Sequence, residues 1–85
     1  MTLYTFRLLS PQGQLRCVLE QGTYLAQRWA DKSGVNLYYL PDAGRGFLAE
    51  VGVDEERFVV LRSFSNSVPL EDYAQEVRLP DGWAC

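Results

Sequence analysis

Eighty-five residues, 47% hydrophobic and 13% aromatic, make one domain with a single core and carry too much apolar content for a disordered chain. The net charge of −3, from 11 acidic and 8 basic residues with no block of either sign, argues against nonspecific nucleic-acid binding, which needs a concentrated basic face. No run of about 18 apolar residues occurs, and residues 1–7 lack the charged-then-apolar order of a signal peptide. The expected location is therefore the cytoplasm, with no membrane contact.

In residues 2–9, Tyr4, Phe6 and Leu8 alternate with Leu3, Thr5 and Arg7, a period of two that predicts a first strand. Ser10-Pro11-Gln12-Gly13 supplies turn residues, and Leu15, Cys17 and Leu19 alternating with Arg16, Val18 and Glu20 predict a second strand in a hairpin with the first. Leu25, Ala26, Trp29 and Ala30 then fall at helical spacing. They predict a helix over residues 24–33, with Thr23 as N-cap, Trp29 as anchor and Gly34 as the left-handed residue that ends it.

Strand composition returns at residues 35–40 and, after a turn-rich segment at 41–46, at 47–54. A charged turn, Asp54-Glu55-Glu56-Arg57, leads to a fifth strand at 58–64. Its unbroken Phe58-Val59-Val60-Leu61 run predicts burial on both faces in the interior of a sheet. Leu70, Tyr73, Ala74 and Val77 form a second helical stripe, with Ser67 as N-cap and Pro69 in the first turn. Pro80-Asp81-Gly82 ends it, Trp83 is expected to fold back, and the tail from about residue 80 to loosen. The expected architecture is a single α+β domain over residues 1–85 in ββαβββα order. It has a mainly antiparallel five-stranded sheet with two helices packed on one face.

The chain has no histidine, which removes the commonest general base near neutral pH and the commonest transition-metal ligand. Two distant cysteines cannot build a structural zinc site; Cys17 reads as a small core residue and Cys85 as a terminal thiol. The adjacent acids Glu55-Glu56 and Glu71-Asp72 sit where solvated charge belongs, and no Walker, dinucleotide or calcium loop occurs. No catalytic constellation, cofactor or metal site emerges.

Two functional expectations follow. Helices on one face would leave Val18, Tyr38 and Leu48 on the other among arginines, a mixed surface suited to protein–protein contact. The first expectation is thus a small cytoplasmic binding or regulatory module acting on a protein partner or on itself as a homodimer. The alternative is a binder of a small anionic ligand such as a nucleotide. Its site would be the strand-to-helix turn at 62–67 and the loop at 44–46, where Arg45, Arg62, Ser65, Asn66 and Ser67 could meet an anion at a helix start.

Overall fold

The computed structural model describes residues 1–30, 33–42, 44 and 46–65. Two helices, α1 (Leu3–Arg7) and α2 (Pro11–Gln21), precede four strands, β1 (Thr23–Ala30), β2 (Ser33–Leu40), β3 (Phe47–Asp54) and β4 (Arg57–Phe64). The strands form one antiparallel sheet in the order β1-β2-β3-β4. This is a small α+β domain, but among the described residues it has four strands rather than five and runs ααββββ rather than beginning ββα. The expected second helix, with Leu70, Tyr73, Ala74 and Val77, lies outside the described residues, as do Trp83 and Cys85.

The two predicted N-terminal strands are helices because both segments carry their own start signals. Thr2 is extended and its Oγ1 accepts from the Thr5 N–H at 3.1 Å, opening α1. Ser10 does the same for α2, accepting from the Gly13 N–H at 3.1 Å, and Pro11 at the first helical position loses no hydrogen bond there. On a helix, Leu15, Val18 and Leu19 lie at i, i+3 and i+4, so the apolar residues read as an alternation also fit a helical stripe.

The predicted first helix is the edge strand β1. The register jumps between Tyr24, paired with Tyr38, and Ala26, paired with Leu37, so Leu25 is an extra bulge residue. One inserted residue breaks the period of two and leaves Leu25, Ala26 and Trp29 at a spacing that mimics a helix. Thr23 therefore begins a strand, Gly34 pairs with Trp29 inside the β1–β2 ladder, and Trp29 stands exposed instead of anchoring a core.

Residues 35–40, 47–54 and 58–64 are strands as their composition predicts, but burial is distributed differently. The strand buried on both faces is β3, covered from Phe47 to Gly52, because it lies between β2 and β4. Among the described residues β4 is an edge strand, with Phe58 and Leu61 exposed and Val59 and Val60 half-buried. It carries a second bulge, where Glu50 pairs with Arg62 and Val51 with Val60, leaving Leu61 extra.

Both helices pack on one sheet face. Phe6 of α1 and Cys17 and Val18 of α2 close over Leu40, Phe47, Ala49 and Val51, and the Phe6 and Phe47 rings meet at 5.2 Å. Arg7 ties α1 to β4, donating through Nη2 to the Ser63 carbonyl at 2.6 Å and through Nε to its hydroxyl at 3.2 Å. The opposite face holds Ala26, Leu37, Leu48 and Phe64, also buried, together with Glu50. No helix among the described residues is long and apolar enough to cross a membrane.

Candidate binding surface

The helices cover only one end of their face. α2 makes its most extensive contact with β4 and ends beside β2, where Gly22 lies against Tyr38, so it crosses the strands rather than running along them. Beyond its outer side lies the half of the sheet that leads to the β3–β4 turn. Trp29, paired with Gly34, and Phe58, paired with Val53, occupy this uncovered end. Trp29 is 72% exposed, Phe58 64%, Leu19 on the flank of α2 61% and Val53 42%. Strand alternation and helix crossing together put all four on one side of the molecule.

A groove follows the outer side of α2. Leu15 and Leu19 form its wall, Asn36, Tyr38, Val51 and Phe58 its floor, and it encloses about 320 Å³. The lining is apolar except for the Asn36 amide and the Tyr38 hydroxyl. A second, shallower hollow of about 330 Å³ runs over α2 itself between Gln12, Leu15, Arg16, Leu19 and Glu20. Arg16 and Glu20 are exposed, and neither forms an ion pair among the described residues.

The residues singled out in the sequence are dispersed. Val18 is buried beneath α2, Leu48 is buried on the opposite face of the sheet, and Tyr38 is half-buried at the groove floor. These three do not make one open face, because Val18 belongs to a helix and Leu48 points away from it. Arg62 donates through Nε to Glu50 Oε1, and its guanidinium lies 5.6 Å from the Phe64 ring centroid. Ser65 is exposed just past β4. Arg45, Asn66 and Ser67 lie outside the described residues. In the loop that contains Arg45, Asp42 Oδ1 accepts from the backbone N–H of Gly44 at 2.6 Å and of Gly46 at 2.9 Å, an Asx-type turn.

Glu50 lies mid-β3 on the sheet face opposite the helices. It is fully buried, and Arg28 forks onto it, Nε to Oε2 at 3.0 Å and Nη2 to Oε1 at 3.3 Å, while Arg62 approaches from the other side. A carboxylate buried between two guanidiniums is an internal ion pair, so an external anion would have to compete with Glu50 for Arg62. Cys17 is buried with Sγ 3.7 Å from Met1 Sδ. Burial pushes its thiol above the ordinary value, the amino terminus draws it down and Glu20 raises it again. Such a thiol is a poor nucleophile at neutral pH. Among the described residues no group of three metal-ligating side chains gathers.

Comparison with protein-family models, curated proteins and solved structures finds no match for this chain. The main exposed residues of this surface are not among the candidate residues named from the sequence. Trp29 was assigned to a core helix and Phe58 to an interior strand, and the exposure of both follows from the bulged, edge positions of β1 and β4.

Proposed function

We propose that this domain is a small binding module that acts through protein–protein contact at the uncovered end of its helix-bearing face. The observation that carries this reading is the exposure of Trp29, Phe58, Leu19 and Val53 together on one side of the molecule. Scaled by their exposure, these side chains present on the order of 500 Å² of apolar surface, the size of the largest patch on a typical soluble domain, which is often the functional one. Trp29 on β1 and Phe58 on β4 stand at the two sides of this end of the face with Val53 between them, and large aromatics are the residues that most often anchor protein interfaces. The groove beside α2 supports the same reading, since it offers a pocket in which a partner's apolar side chain would be desolvated.

Both edge strands also carry devices that discourage strand addition. The bulges at Leu25 and Leu61 disrupt the edge ladder, a common defence against edge-to-edge pairing. The face is therefore a better docking surface than either edge.

A pull-down from native cells tests the proposal. Phe58→Lys should lose a protein that the unsubstituted domain retains, whereas Tyr4→Lys, on the outer side of α1, should retain it. Identical proteins on all three baits would contradict the reading.

A further inference from the structure

Resting on that binding surface, we infer that its occupant is a second copy of this chain, docked through α2 about a two-fold axis. An isologous interface demands a surface complementary to itself. The outer side of α2 meets that demand. Half-buried Leu15 and exposed Leu19 are four residues apart, and so are the exposed Arg16 and Glu20. When two α2 helices run antiparallel about a dyad at the level of Cys17 and Val18, Leu15 faces Leu19 of the second copy. Arg16 then faces Glu20 of the second copy, and each contact occurs twice.

The charges favour this arrangement over a foreign partner. Arg16 and Glu20 lie one helical turn apart but form no ion pair among the described residues, and Arg preceding Glu is the weaker orientation of such a pair. Across the dyad each meets the opposite sign. An acidic or basic partner helix would satisfy one of them and repel the other.

A domain of 85 residues also buries a modest share of its chain and gains stability by mass action when it pairs.

Light scattering on the full chain across a wide concentration range tests the inference by charge reversal. The unsubstituted protein should be a dimer. Arg16→Glu and Glu20→Arg, both at exposed positions, should each weaken dimerisation by roughly tenfold or more, since two attractive pairs become repulsive. An equimolar mixture of the two variants should regain a dimer, and so should the chain carrying both substitutions. A concentration-independent monomer overturns the inference. So does a dimer indifferent to both reversals, or single variants that are not rescued on mixing. The binding surface is judged separately: a monomer whose partner protein is still lost on Phe58→Lys leaves the surface standing with a different occupant.

Discussion

Arg28 and Glu50 sit on strands that are not neighbours. Arg28 is on β1 and Glu50 on β3, and the guanidinium reaches across β2 to donate to both carboxylate oxygens, at 3.0 and 3.3 Å. The Arg28 side chain is 19% exposed and that of Arg62 37%, so the Arg28 contact is the less screened of the two. Removing one member of a buried ion pair strands the other. Glu50→Ala is expected to cost about 3–5 kcal/mol, and Arg28→Met more than Arg62→Met. Urea denaturation of the three variants measures this. Equal, small losses would mean that the carboxylate is not held in the way described.

The β3–β4 turn is a two-residue loop built from unfavourable residues. Glu55 (φ 50°) and Glu56 (φ 66°) both occupy the left-handed region between Asp54 and its partner Arg57. Loops of this length with two positive φ values prefer Asn-Gly, because other side chains are strained there. Glu55→Asn with Glu56→Gly should therefore stabilise the domain by about 1 kcal/mol, raising Tm by about 4–8 °C. Thermal melts of the double variant check the prediction, and a lower Tm would contradict it.

Gly46 immediately precedes β3 with φ 87°, and a Cβ there would come within 2.5–2.6 Å of the Tyr39 phenol. Both the backbone and the contact select glycine. Gly46→Ala is expected to cost at least about 2 kcal/mol. Its unfolding midpoint in urea should fall clearly below that of Gly44→Ala, whose added Cβ would meet only an Asp42 carboxylate oxygen at 3.5 Å.

Burial raises the Cys17 thiol above its ordinary value, which sets a direction for pH dependence. Above about pH 8.5 the unfolded chain releases this proton while the folded chain keeps it, so stability from this group falls as pH rises until the folded thiol also ionises. Below that range the contribution is constant. In a Cys85→Ser background, iodoacetamide should label Cys17 slowly in the folded state and rapidly in denaturant. Cys17→Ala should flatten the alkaline loss of stability. Rapid native labelling at neutral pH would place the thiol at the surface.

Three strands were legible in the sequence because β2, β3 and β4 keep a strand composition between recognisable turns. The N-terminal half was not, for local reasons. Thr2 and Ser10-Pro11 are helix-start signals, but Tyr4, Phe6 and Leu8 supply an alternation that competes with them. In β1 the bulge at Leu25 shifts the pattern by one residue, turning a strand's period into an apparent helix stripe. The Phe58-Val59-Val60-Leu61 run shows a limit of composition. Its apolar continuity matches an interior strand, but strand order puts it at an edge among the described residues and leaves Phe58 exposed. Of the candidate site residues, Arg62 was recognisable as a functional type, but its engagement by Glu50 depends on a cross-strand pairing that no spacing reveals.

The most direct test of the docking surface is photo-crosslinking in native cells with a benzoylphenylalanine side chain placed singly at positions 58, 29 and 4. Positions 58 and 29 should each give a discrete protein adduct, and position 4, on the outer side of α1, should give none. Equal crosslinking at all three positions, or adducts at position 4 alone, would contradict a binding surface at the uncovered end of the sheet.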